Sequence, residues 1–213
     1  ALAALARDHA AISAFPLDVT DPGAVEEAAA RIEADLGPID LAILNAGIGT
    51  PLYAKHFDAA AVRKVFETNY MGVVHGLSAL LPRMTGRGRG HIALMASVAG
   101  YRGLRRMGAY APSKAALISL AECLKPELDE AGIAISVINP GFIDTPMTKG
   151  NTAPMPFILQ ADAAARRVLY GLEKRKFEVA FPWPLVAMLK ILRLLPYPLY
   201  FRWQRRGFSR GKQ

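Results

Sequence analysis

Tyr110 and Lys114 stand four residues apart in the string YAPSK. On a helix that spacing puts both side chains on one face. A tyrosine ordinarily titrates near about 10. A lysine ammonium a few ångströms away favours the phenolate and lowers that value. A phenol tuned in this way can donate a proton to a carbonyl or take one from an alcohol. Alone, a Tyr-x-x-x-Lys pair reads equally well as a surface pair or a half-buried helix face. Here Ser97 precedes Tyr110 by thirteen residues and ends an apolar run. If that run is a strand, its hydroxyl sits at the mouth of a crevice beside the helix carrying Tyr110.

The elements that must position these groups alternate. Residues 1–9 read as the end of a helix and Ile12 to Leu17 as a short buried strand ending at Asp18. Asp21 followed by Pro22 is an N-cap with proline at the first helical position, and Gly37-Pro38 stops that helix. Ile39 to Leu44 is a strand, and Asp58 opens a long helix reaching about Met84. Gly86 to Gly90 reads as a loop, His91 to Ala96 as a strand, Ala109 to Asp129 as a helix and Ala134 to Ile138 as a strand. A helix from Ala161 to Lys174 and a last strand from Phe177 to Phe181 follow. Pro126 cannot bond the carbonyl of Glu122, so a kink or an early end is expected there, away from Tyr110.

Strands alternating with helices of ten or more residues make a parallel sheet with helices on both faces. Ligands of such sheets bind outside the carboxyl ends of the strands. Those ends are Asp18-Val19, Asn45-Ala46-Gly47, Ser97-Val98-Ala99-Gly100 and Asn139-Pro140-Gly141. Any one of them reads as an ordinary turn. Four small, polar or glycine-bearing ends together read as a ligand crevice.

The motifs DVTD (18–21), NAG (45–47), ETNYMG (67–72), SVAG (97–100), YAPSK (110–114) and NPGFIDT (139–145) resemble, in order and spacing, the short-chain dehydrogenase/reductase family. The resemblance runs from the first residue to about Phe181. It implies a Rossmann-like α/β fold, a doubly wound parallel sheet in three αβα layers, and an NAD(P)-dependent oxidoreductase. Tyr110 is then the general acid/base, Lys114 holds the nicotinamide ribose and lowers the phenol's pKa, and Ser97 bonds the substrate oxygen. Asn69 helps hold a water in a proton relay behind Lys114, or merely caps a kink in its helix. Asp18 and Val19 lie along the adenine, and Asn45, Ala46 and Gly47 along its ribose. Pro140, Gly141, Ile143 and Thr145 line the nicotinamide, although Thr145-Pro146 also reads as a plain turn. A homo-oligomer through the long helices is expected, with Val73 to Leu81 as a compatible apolar stretch. The alternative is a non-catalytic nucleotide-sensing or scaffold protein on the same fold.

The family's opening strand, TGxxxGxG turn, helix and second strand find no counterpart in these 213 residues. The chain is therefore expected to be part of a longer protein, because strands central to the sheet would otherwise leave inner edges unpaired. The choice between NAD and NADP rests on that region, with a slight lean to NADP. The substrate is expected to meet residues 99–107, Phe142 and residues 147–159. The last of these, MTKGNTAPMPFIL, has few charges and points to a lipophilic ketone or alcohol.

Composition sets bounds. With 52% hydrophobic and 21% charged residues the chain is not disordered, and it carries no repeat. A lone cysteine, Cys123, excludes a disulfide framework and a cysteine zinc site, fits a reducing, cytoplasmic setting, and no secretory leader is read at the start. His56, His75 and His91 are scattered and read as structural, and Arg87 and Arg89 as solvated turn residues. The net charge of +8 is uneven: residues 1–173 carry sixteen bases and seventeen acids, Lys174 to Gln213 ten bases and one acid. That asymmetry argues against a nucleic-acid-binding body. The chain is expected to divide into a catalytic domain, 1–181, and an apolar, basic extension, 182–213. In the extension Trp183, Tyr197, Tyr200 and Trp203 bracket an apolar run, and prolines limit its helix to Leu185–Leu195, too short to span a bilayer. Peripheral contact with an anionic membrane surface is one reading, and a lid over the pocket or a subunit contact is the other.

Overall fold

A computed structural model describes residues 6–149 and 154–208, with side chains through 205. Residues 1–5 of the first expected helix, residues 150–153 of the expected substrate segment, and Arg210 and Lys212 lie outside the described residues.

Helix α1 (Pro22–Leu36) starts where the sequence puts it. The Asp21 carboxylate accepts from the amides of Gly23 (2.9 Å) and Ala24 (3.1 Å), and Pro22 fills a position whose N–H has no helical partner. Strand β1 (Leu41–Leu44) leads to α2 (Ala59–Phe66), capped by the Asp58 carboxylate. One π turn (Glu67–Met71) interrupts the rod before α3 (Gly72–Arg87). Then follow β2 (Gly90–Met95), a 3₁₀ turn (Val98–Gly100), α4 (Tyr110–Glu130), β3 (Ile133–Pro140), and the two-residue strands β4 (Ile143–Asp144) and β5 (Leu159–Gln160). Helix α5 (Ala161–Glu173), β6 (Glu178–Phe181), α6 (Trp183–Leu194) and α7 (Tyr197–Phe208) complete the order. Helix α4 does not end early: it runs through Pro126 to Glu130.

The main sheet has the order β1-β2-β3-β6, every pair parallel, flanked by helices in a Rossmann-like arrangement. Parallel strands covered on both faces read as unbroken apolar runs. Ile92 and Leu94 of β2 and Ile133, Ile135 and Val137 of β3 are buried, under Leu117 and Ala121 of α4 and Leu77 and Met84 of α3. Met84 carries no exposed surface, and the long helix runs past it to Arg87, where Gly88 caps it in the left-handed conformation.

Two expectations are corrected. Ile12 to Leu17 is not a buried strand: these residues have no ladder, and Ile12 and Leu17 are exposed. A strand exists only as one side of a ladder, and among the described residues no strand lies beside this segment. The outer edge of β1 is likewise unpaired there, leaving Leu41 and Ile43 exposed. Arg87 is not a solvated turn residue. It is the last residue of α3, donates to the Glu33 carboxylate (2.8 Å) and reaches the Ile39 carbonyl, so the loop shrinks to Gly88-Arg89. Val73, Leu77, Ala79 and Leu80, within the apolar stretch of the long helix, pack into the chain's own core. The prolines hold the first helix of the last segment to Trp183–Leu194, close to the expected Leu185–Leu195, and a further helix, Tyr197–Phe208, follows it. Pro184 and Pro198 sit in the first turns of α6 and α7, where proline is tolerated.

Candidate active site

Asn69 is the hub. It lies in the π turn, fully buried, where a widened turn re-aims one side chain without ending the helix. Its Oδ1 accepts from the Ile48 amide (2.7 Å), and its Nδ2 donates to the Ile48 carbonyl (2.9 Å) and to Ser113 Oγ (3.0 Å). Ser113 Oγ in turn donates to the Tyr110 carbonyl (2.7 Å). One amide thus ties the segment after β1 to the first turn of α4. A Cβ on Gly47 would stand 3.4 Å from both Lys114 Nζ and Asn69 Oδ1, and one on Gly49 would meet the Tyr110 ring at 3.2 Å.

Ser97 ends β2 and caps the 3₁₀ turn, its hydroxyl accepting from the Ala99 amide (3.1 Å) and donating to the Pro140 carbonyl (3.4 Å). Gly100 lets that turn lie on α4, because a Cβ there would come within 2.8 Å of the Lys114 carbonyl carbon and 2.9 Å of the Ala115 nitrogen. Both are backbone atoms that cannot swing aside. Gly100→Ala is therefore expected to lower stability by ~1–3 kcal/mol, the usual cost of overpacking. Urea denaturation checks this, and an unchanged midpoint would show that the turn shifts freely.

Burial decides the electrostatics of the pair. It raises the Tyr110 phenol above its ordinary value, while the Ser97 hydroxyl beside it pulls the other way. Burial also lowers Lys114 to about 8. Lys114 Nζ donates to the Met95 carbonyl (2.6 Å) and lies 5.7 Å from the centre of the Tyr110 ring. Where spacing led to the expectation of a lowered phenol, burial leaves it raised. The ammonium points at a carbonyl rather than the hydroxyl and is itself biased toward losing its proton, so the nearby hydroxyl of Ser97 does the lowering.

The other expected residues divide. Asn45 and Ala46 are exposed at the carboxyl end of β1. Pro140 ends β3, and the Gly141 amide donates to the Phe181 carbonyl (2.7 Å). Ile143 pairs with Leu159, and Thr145 sits in a tight turn whose amide donates to Thr148 Oγ1 (3.1 Å). Phe142 packs against the main core. Asp18 accepts from the amide (2.9 Å) and hydroxyl (2.8 Å) of Thr20, and the Val19 carbonyl from His75 Nδ1 (3.0 Å). Val19 lies against Gly72, where a Cβ would meet its Cγ2 at 2.8 Å. Thus Ser97, Tyr110, Lys114, Asn69, Gly47 and Pro140 gather into one linked cluster. Asp18 and Val19 are held by their own neighbours instead.

A second hub forms around Glu178. The half-buried Glu178 carboxylate accepts from Tyr101 Oη (2.5 Å), from Asn139 Nδ2 (3.0 Å) and from Lys190 Nζ. Burial opposes its ionisation, but the hydrogen bonds from Lys190, Tyr101 and Asn139 outweigh that and hold it below its ordinary value. Asn139 precedes the Pro140 strand end and Tyr101 follows the Ser97 turn, so Glu178 braces both. Arg102 adds a second tie: its guanidinium caps the last carbonyls of α6, those of Leu192, Arg193 (3.1 Å) and Leu195 (2.9 Å), and stacks over Tyr200. No local pattern announces either tie: apart from Lys190, twelve positions from Glu178, the partners stand some forty to ninety positions apart.

A family model described as short chain dehydrogenase matches residues 1–155. An uncharacterized oxidoreductase of Myxococcus xanthus is 38% identical over 184 residues, covering 86% of this chain and 73% of that protein. The 1-deoxy-11-beta-hydroxypentalenate dehydrogenase of Streptomyces avermitilis is 35% identical over 184 residues, 82% of this chain and 67% of that protein. Among solved structures, a short-chain dehydrogenase from Streptomyces avermitilis superposes with a TM-score of 0.80 at 26% identity, over 100% of this chain and 85% of the other. One from Burkholderia phymatum, in complex with NAD, superposes with a TM-score of 0.81 at 24% identity, over 100% of this chain and 84% of that one, a likeness of fold.

Proposed function

Because the chain belongs to the short-chain dehydrogenase family, we propose that it is an NAD(P)-dependent oxidoreductase acting on a carbonyl or alcohol carbon of a lipophilic substrate. The observation that carries this reading is the Ser97 hydroxyl beside the Tyr110 phenol, with Lys114 one turn behind.

The residues present fit the nicotinamide end of the coenzyme. Among the described residues the Lys114 ammonium donates to the Met95 carbonyl alone, which leaves two donors for a ribose diol. Small residues at Gly47 and Gly49 open space in front of Lys114 and Tyr110. Asn45, Ala46 and Gly47 would border the adenosine ribose, and Pro140, Gly141, Ile143 and Thr145 the nicotinamide. When bound, the nicotinamide supplies or accepts the hydride. Ser97 orients the substrate oxygen by a hydrogen bond. Tyr110, kept neutral by burial, gives its proton to that oxygen in reduction and recovers it in oxidation. Asn69 keeps the loop after β1 closed on both groups.

Phe157 and Ile158 lead into β5 beside Phe142, and Met147 follows β4; all three side chains are exposed. Their apolar surface favours a lipophilic substrate over a sugar or a small acid. The test titrates NADH and NADPH and then assays ketones and secondary alcohols of increasing chain length against a sugar acid. Turnover is expected to rise in kcat/KM with apolar size. Coenzyme binding without turnover of any of them would replace this reading with a nucleotide-sensing one.

A further inference from the structure

Helix α6 is apolar apart from Arg193 and from Lys190, which is tied to Glu178. Leu185, Leu189 and Leu192 enter the main core. The opposite face carries Trp183, Ala187, Ile191 and Leu194 at spacings of four, four and three, and Trp183, Ile191 and Leu194 are 76%, 63% and 83% exposed. Large apolar side chains clustered on one exposed face mark an interaction or membrane site. Among the described residues nothing covers that outer face.

Helix α7 continues the surface with different chemistry. Tyr200 is buried and hydrogen-bonds the Gly103 carbonyl (2.6 Å), which fixes the helix on the body. Its outward side presents Arg202 and Arg205, flanked by exposed Tyr197, Leu199 and Phe201. From Val179 to Gln213 the sequence holds seven Lys or Arg and no Asp or Glu. A symmetric contact between two copies would set this cationic patch on itself. Apolar side chains beside aromatics and arginines instead match an anionic lipid surface. Neither helix is long and apolar enough to cross a membrane.

We propose that α6 and α7 together form a docking surface for anionic membranes, with Trp183, Ile191 and Leu194 entering the headgroup–acyl boundary and Arg202 and Arg205 engaging lipid phosphates. The surface adjoins the reading site above without depending on it. A Cβ on Gly141 would meet Leu185 of α6 at 2.6 Å, and Gly103 beneath α7 lies in the loop following Ser97.

The test is sedimentation with phosphatidylcholine vesicles, with and without phosphatidylserine, together with tryptophan emission. The protein is expected to pellet with the anionic vesicles only, to release in high salt, and to shift its emission to the blue as exposed Trp183 leaves water. Arg202→Glu with Arg205→Glu should weaken binding at least ~10-fold. Ile191→Glu with Leu194→Glu should abolish it with an unchanged circular dichroism spectrum, since both side chains point away from the core. Absence of pelleting, equal pelleting with neutral vesicles, or binding untouched by either pair of substitutions would overturn the proposal. So would a dimer in sedimentation velocity that Ile191→Glu with Leu194→Glu dissociates while vesicles capture nothing.

Discussion

Tyr110→Phe is expected to lower turnover at least ~10²-fold, the scale of a positioned acid/base, while coenzyme affinity stays within a few fold. The ring that packs against Gly49 is retained and only the transferable proton is lost. The Ser113 contact to position 110 is to a backbone carbonyl, so the Asn69–Ser113 tie also survives. The loss should therefore fall on kcat in steady-state kinetics and leave coenzyme titrations alone. Near-normal turnover in the phenylalanine variant would remove Tyr110 from the reaction. A parallel loss of coenzyme binding would assign it a structural role instead.

Lys114→Met is expected to make the uncomplexed protein more stable at neutral pH while weakening coenzyme binding. The folded state holds Lys114 at about 8, against 10.5 for the free side chain. Between those values the unfolded chain binds a proton that the folded chain does not, so stability rises with pH across that window. The cost of burying the charge is present in full below pH 8 and relieved toward pH 10.5. At pH 7 it corresponds to about 3 kcal/mol. Removing the ammonium recovers that cost, less about 1 kcal/mol for the Met95 carbonyl that loses its donor. Urea denaturation at pH 7 should show a net gain of ~2 kcal/mol that disappears at pH 10. Equal or lower stability at pH 7 would mean that Lys114 keeps its charge at little cost. A residue that costs stability and sits among chemistry-bearing groups is the pattern expected of a functional site.

Several features were legible because they are local. Asp21 and Asp58 cap helices from the residues that immediately follow them. The apolar runs of β2 and β3 need no partner's identity to be read as strands buried on both faces. Tyr110 and Lys114 share a face because 3.6 residues make a turn, and the six motifs carried the family.

What the tertiary structure alone decided concerns partners distant in sequence and the dielectric they create. The π turn at Asn69 is invisible to a periodicity argument, and its purpose appears only when Ile48 and Ser113 arrive from 21 and 44 residues away. Ile12 to Leu17 has strand composition but no ladder, and composition cannot supply the neighbouring strand. Glu178 reads as one more surface acid until Tyr101, Asn139 and Lys190 close on it. The upward shift of the Tyr110 phenol is set by burial for the same reason. Spacing brings a cation near a phenol, but the direction of the ammonium and the depth of its burial set whether its charge is felt, and both are properties of the packed core around it.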